Sequence, residues 1–269
     1  MKSEQTKYIA YAIQDTFSEE VVFIGQGIKA GFPSPAQEYM QETIDLNKVL
    51  ISHPTSTFVI VAQRGMSKDN CINEGNLLII DRSLKPIGNE LFAYSADGEL
   101  NISTTYPEKE TDFIFWGTLI ANIRMDPKHT FHAIESIPLL PEISREYPSF
   151  VQEYIVGSID LNKVLIKNAP TTFITITEGD SMIKECIDNG DLLIIDKSLY
   201  HYDGCLAVCY IDGDFTLKKV SIEKDHAWLL PANPAYQPIE VTEQNDFIIW
   251  GIVTSSIKLY RKHHDRASG

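Results

Sequence analysis

The sequence is poor in the features that mark several functional classes. Only four of its 269 residues are cysteines, Cys71, Cys186, Cys205 and Cys209. They form no CxxC pair and no Cys/His cluster, so neither a zinc site nor any other metal site is expected. Cys205 and Cys209 fall on one face of an extended run and are expected as packed free thiols rather than a disulfide or metal site. Basic side chains are scarce as well. Against 37 Asp and Glu there are 23 Lys and Arg, a formal charge of −14. That excludes a broad nucleic-acid-binding face, because phosphate contacts need clustered cations. Long apolar runs are also missing. The longest, residues 113–123, is about half of the ~20 residues a membrane helix needs, and Gly117, Thr118 and Asn122 interrupt it. The first residues, MKSEQTKYIAYAIQDTFSEE, lack the apolar core of a signal peptide. These absences predict a cytoplasmic protein. What is present, 43% hydrophobic and 22% charged residues, is ordinary for a globular chain and excludes wholesale disorder and low-complexity scaffolds.

The chain contains one unit twice, the first thing a sequence should be searched for. FPSPAQEYMQETIDLNKVLI begins at Phe32 and YPSFVQEYIVGSIDLNKVLI at Tyr147, an offset of 115. Carried on without gaps, NEGNLLIIDRSL falls on DNGDLLIIDKSL, and 28 of the 68 pairs from 32/147 to 99/214 are identical. The offset then changes. DFIFWG begins at Asp112 and DFIIWG at Asp246, an offset of 134, so the first copy lacks 134 − 115 = 19 residues. The missing material corresponds to part of KKVSIEKDHAWLLPANPAYQPIEVTEQ in the second copy. The first copy reads as degenerate and the second as complete.

Both copies read as mainly antiparallel β. TFVIVAQ and TFITITE are short β-branched runs, and NLLIID and DLLIID are buried strands bounded by turn residues. CLAVCYIDGDFTLKKV and FAYSADGELNIS each set Asp-Gly between two extended runs, the strongest short hairpin signal. AWLLPAN and FIIWGIVTSSIKLY add strands. IDLNKVLI predicts one short helix per copy, capped by Asp45 or Asp160. The expected organisation is an arm over 1–31, a degenerate unit over 32–126, a proline-bearing linker over 127–146, and a complete unit over 147–264.

The chemical signal is Gly179-Asp180-Ser181-Met182, directly after TFITITE. A serine hydroxyl needs a neighbouring base to become a nucleophile. None of the seven histidines sits in a repeated motif. The alternative base is a lysine whose pKa burial has lowered. Lys218 and Lys219 lie on the far strand of the Asp212-Gly213 hairpin. Strand parity sends one toward the serine and one away, without saying which. Each of these features also has an ordinary structural reading: a Gly-Asp-Ser turn is usually only a turn, and paired lysines at a hairpin end are usually solvated.

GFPSPAQEY, IDLNKVLI, GDSM, GDLLIID and DGDFTLKK together resemble the LexA/UmuD family of self-cleaving serine–lysine proteins (S24-type peptidases), and the UmuD branch most of all. The resemblance covers nearly the whole chain, as two tandem β domains forming a fused pseudo-dimer. It implies Ser181 as nucleophile and Lys218, not Lys219, as general base. Gly179, Asp180 and Met182 would support the turn and the oxyanion. The family cuts its own N-terminal arm at a small-residue–Gly bond, which here falls on Ala30-Gly31. No cofactor is implied.

In ungapped register the first copy sets Met66 opposite Ser181 and Ser103 opposite Lys218. Ser67 reaches the nucleophile position only by a one-residue shift that Cys71 undoes, and no lysine lies between Lys85 and Lys109. The first copy is expected to be catalytically dead. The cleavage bond shows the reverse pattern, since Arg145-Glu146 stands where the first copy has Ala30-Gly31. The arm is therefore expected to reach the second copy's site within the same chain. Only 30 residues precede Gly31, too few for a helix-turn-helix domain, which favours the UmuD branch over the repressors. By resemblance, a RecA filament on single-stranded DNA stimulates cleavage, and the product joins a UmuC-like Y-family polymerase in translesion synthesis during the SOS response. Self-association of the fused chain is compatible with this. The alternatives are a non-catalytic binding module that regulates the polymerase or the RecA filament, and a signal-peptidase-like enzyme, disfavoured by the missing anchor.

Overall fold

The computed structural model describes residues 10–13, 21–28, 40–67, 71–108, 112–128, 155–224 and 226–261. The molecule is mainly β, as the alternating runs predict. In the first copy the strands are β3 (Met40–Ile44), β4 (Thr57–Val61), β5 (Leu77–Asp81), β6 (Phe92–Ala96), β7 (Glu99–Ser103) and β8 (Phe113–Met125). In the second they are β9 (Ile155–Ile159), β10 (Thr172–Thr177), β11 (Leu192–Asp196), β12 (Leu206–Ile211), β13 (Asp214–Ile222), β14 (Ala227–Leu230), β15 (Ile239–Val241) and β16 (Phe247–Leu259). Two further strands, β1 (Ala10–Ile13) and β2 (Val21–Ile28), come from the arm. The predicted helices form as α1 (Leu46–Leu50) and α2 (Leu161–Leu165), where Asp45 and Asp160 accept the backbone N–H of Asn47 and Asn162.

Local chemistry explains the repeated motifs. In both Asp-Gly hairpins the aspartate and the glycine have positive φ, 52° and 79° at Asp97-Gly98 and 49° and 101° at Asp212-Gly213. That is the twist a two-residue β-turn requires. DFIFWG and DFIIWG end in glycine because the long strand kinks there. A Cβ at Gly117 would lie 2.7 Å from the Asp81 carbonyl oxygen, and one at Gly251 would lie 2.6 Å from Ile195. Each kink sits at a register slip against the neighbouring hairpin strand, between Ala93 and Tyr94 or between Val208 and Cys209.

The two copies join along β8 and β16, which pair antiparallel with Ile123 opposite Ile257. These two residues are equivalents at the offset of 134. Around them Met125 faces Ser255 and Ala121 faces Leu259, a register unchanged when the copies are exchanged. The helices repeat the symmetry. Asn162 Oδ1 accepts from Leu46 N at 2.8 Å and Asn47 Oδ1 accepts from Leu161 N at 3.0 Å. Asn47 also donates to Asp160 and Asn162 to Asp45. A shared core including Leu46, Ile123, Leu161 and Ile257 fills the space beneath.

The arm departs from the antiparallel pattern. β1 lies between β4 of the first copy and β9 of the second, antiparallel to one and parallel to the other. β2 lies between β3 of the first copy and β10 of the second, parallel to β10. A second difference concerns the cysteines. Cys71 and Cys186, not anticipated as partners, form a disulfide with Cα atoms 5.4 Å apart. Cys205 and Cys209 are free and buried. Among the described residues, no helix is long and apolar enough to cross a membrane.

Candidate functional site

The site forms where β10 ends. Gly179, with φ of 91°, turns the chain out of the strand and Met182 drives it back. The Met182 side chain is buried with Ile187, Leu193 and Phe215. Ser181 is left between them on an open cleft of about 580 Å³, lined also by Thr177, Gly179, Lys218, Tyr236 and Ile239.

Parity along β13 decides between the two lysines. Lys219 leaves the cleft and pairs with Glu185 at 3.1 Å. Lys218 is 6% exposed, and its Nζ lies 3.3 Å from Ser181 Oγ, 2.7 Å from Thr216 Oγ1 and 2.9 Å from the Leu217 carbonyl oxygen. Burial favours the neutral amine and holds its pKa below the usual lysine range, against a weaker opposing pull from Cys209. A buried amine with a lone pair beside a serine hydroxyl is the arrangement a serine–lysine nucleophile requires.

The loop after β14 fixes the serine's backbone. Ala232 N donates to the Ser181 carbonyl at 2.8 Å, and the Ala232 carbonyl accepts from Lys184 N. Asn233 Nδ2 donates to the Asp180 carbonyl at 3.0 Å, and Tyr236 Oη donates to the Asp180 carboxylate at 2.6 Å. On the other side, Gly179 N donates to Asn189 Oδ1 at 3.1 Å. Sequence reasoning did not single out Asn233 and Tyr236. The available signal was their position inside the stretch that the first copy has partly lost. Next to Asn189, burial pushes the Asp191 carboxyl up to about 6, partly offset by a backbone N–H from Asp188 and by the nearby Lys258.

The structure also places the first copy's counterparts. Met66 is 4% exposed and packs into the core with Leu100 and Ile102. Ser103 pairs with Phe92 as Lys218 pairs with Ala207, so a serine stands at the strand position that Lys218 holds in the second copy. Ser67 makes an isolated bridge to Ile102. Ala30 and Gly31, and Arg145-Glu146, lie outside the described residues. No cluster of three or more metal-ligating side chains occurs among the described residues.

The family model described as Peptidase S24-like matches residues 22–113 and 138–254. A LexA repressor of Oleidesulfovibrio alaskensis is 29% identical over 127 residues, 47% of this chain and 61% of that protein. Protein SamA of Salmonella typhimurium is 34% identical over 111 residues, 41% of this chain and 76% of SamA. Protein MucA of Escherichia coli is 30% identical over 126 residues, 46% of this chain and 86% of MucA. The match thus spans about three-fifths of the repressor and most of the two shorter proteins, while each relative accounts for less than half of this chain. Two matched segments, each ending in the paired long strand of one copy, make this chain a tandem member of the S24-like peptidase family.

Proposed function

We propose that the protein is a serine–lysine peptidase that cuts its own arm at Ala30-Gly31. Ser181 Oγ attacks the Ala30 carbonyl while neutral Lys218 takes its proton, and Lys218 returns that proton to the departing Gly31 amine. Backbone N–H groups around Gly179, Asp180 and Met182 stabilise the oxyanion, and water then releases Ala30 from Ser181. The observation that carries this is the 3.3 Å approach of buried Lys218 Nζ to Ser181 Oγ. The arm's path supports the choice of substrate. β2 runs parallel to β10, pairs Ile28 with Thr177, and also contacts β13, the Lys218 strand. Tethering within one chain supplies the high effective concentration that such a reaction exploits.

By family resemblance, the cut is stimulated by a RecA filament on single-stranded DNA. The trimmed chain then serves a UmuC-like Y-family polymerase in translesion synthesis in the cytoplasm. The division into arm, degenerate unit, linker and catalytic unit belongs to the same proposal. Purified protein would be incubated at alkaline pH, and separately with RecA, ATP and single-stranded DNA, and analysed by mass spectrometry. A fragment beginning at Gly31, formed at a rate independent of protein concentration and absent from Ser181→Ala, is expected. An intact chain under both conditions would leave a non-catalytic binding module as the better reading.

A further inference from the structure

The four cysteines divide into two chemically different pairs. Cys205 and Cys209 are buried, and burial raises both thiols, Cys209 to about 12. Neither supplies much thiolate near neutral pH, so neither reacts readily. Cys71 and Cys186 are only half-buried and are bonded to each other. They also stand 115 residues apart, the offset that relates the two copies, so the bond joins equivalent points across the pseudo-twofold axis.

Their surroundings tie both residues to the seam. The Cys71 carbonyl accepts from Asn122 Nδ2 at 2.7 Å, and Asn122 faces Lys258 beside the Ile123/Ile257 centre. Cys186 closes the short 3-10 turn Ile183–Glu185 with φ of 59° and donates its N–H to the Ile183 carbonyl. That turn is the continuation of the Ser181 loop. Its Glu185 already reaches the first copy through Arg124, whose Nη2 lies 2.7 Å from Glu185 Oε2. Burial disfavours the Glu185 charge, but the hydrogen bonds from Arg124 and Lys219 outweigh it and hold the carboxyl below its ordinary range.

We propose that Cys71 and Cys186 are a reversible oxidation site that staples the Ser181 loop to the first copy and sets how firmly the two copies hold together. In the oxidising direction each thiol gives up one proton and one electron as the S–S bond forms. Hydrogen peroxide accepts both protons and both electrons and leaves as two waters, or an exchanging disulfide leaves as two thiols. A dithiol reverses the step. The staple acts independently of whether Ser181 is a nucleophile, because it constrains the unfolded chain and the loop in either case.

The test uses the full chain carrying Ser181→Ala, so that self-cleavage plays no part. Samples oxidised with diamide or reduced with dithiothreitol would be mapped by proteolysis and mass spectrometry under non-reducing conditions. A Cys71–Cys186 cross-linked peptide that loses two hydrogens on oxidation is expected, with Cys205 and Cys209 unmodified. The oxidised chain should unfold about 5–15 °C higher than the reduced one, the scale expected for closing a long loop in a protein of this size. Amides of residues 182–187 should exchange more slowly. Cys71→Ser and Cys71→Ala should each remove the difference between the two samples. Absence of the cross-linked peptide, or its presence with coincident unfolding temperatures, would overturn the proposal.

Discussion

The two copies solve the same packing problem differently. In the second copy one face of the β12–β13 hairpin carries small residues, Ala207, Cys209 and Val220, and is covered by Leu229, Ile239 and Val241 from β14 and β15. The first copy has no such strands among its described residues, and its hairpin carries aromatics instead. Phe92 stands where the second copy has Ala207 and Tyr94 where it has Cys209. Phe92 packs on Tyr106 at 4.5 Å, Tyr94 at 5.7 Å and Phe115 at 5.9 Å between ring centroids. Bulk on the hairpin has replaced the missing cover. The same 19 residues bring Asn233 and Tyr236 to the serine turn, so losing them removed the serine's support as well as a layer of the fold. The shorter stretch and the aromatic hairpin of the first copy thus go together.

The comparison can be broken in graded ways. The largest effect is expected from Lys218→Met, which keeps the bulk but removes the base. Self-cleavage should fall more than about a thousandfold, measured as the Gly31-terminated fragment by mass spectrometry. Restoring serine and lysine in the first copy, as Met66→Ser with Ser103→Lys in a Ser181→Ala chain, should give no such fragment, because that copy lacks the supporting loop. Next, Phe92→Ala should cost about 3 kcal/mol in urea unfolding. It installs the second copy's residue without the second copy's cover. Tyr236→Phe should slow self-cleavage about two- to tenfold, the scale of one solvent-exposed hydrogen bond, with the fold retained by circular dichroism.

The smallest effect concerns Asp191. The first copy has Asn76 at this position, and its side chain accepts the same turn N–H, from Asn73 at 2.8 Å as Asp191 accepts from Asp188 at 2.8 Å. Because the folded carboxyl is raised to about 6, its favourable contribution is complete below the ordinary carboxyl range and is lost as pH rises through about 6. Asp191→Asn should therefore stabilise the chain by about 1 kcal/mol at pH 7 and flatten the stability profile between about pH 4 and 6. Urea titrations at several pH values check it. The pH dependence of cleavage runs the other way. It should rise with pH as Lys218 loses its proton and level off below the usual lysine range.

The duplication, the strands, the two capped helices and both Asp-Gly hairpins were legible because each rests on local chemistry that neighbouring residues carry. The choice of Lys218 over Lys219 was not available from parity alone, since parity fixes only that they diverge; it needed the resemblance, and the fold puts Lys218 beside Ser181. Three features were out of reach for a common reason. The Cys71–Cys186 bond, the Asn233 and Tyr236 contacts to Asp180, and the parallel pairing of β2 with β10 all join segments far apart in sequence. None leaves a periodic trace in either partner. The offset of 115 between the two cysteines was the nearest thing to a signal, and it served only to fix the repeat register.

The self-matching register of β8 and β16 has one more consequence. If two separate chains met along such a seam, partners could be traded, and trimmed and untrimmed subunits would mix in every proportion. Here both strands of the seam travel on one backbone. Dilution cannot part them, and no hybrid can arise by reshuffling. On the proposed cleavage, one arm and one serine–lysine pair per chain would leave each chain either wholly cut or wholly uncut, a binary count rather than a blend.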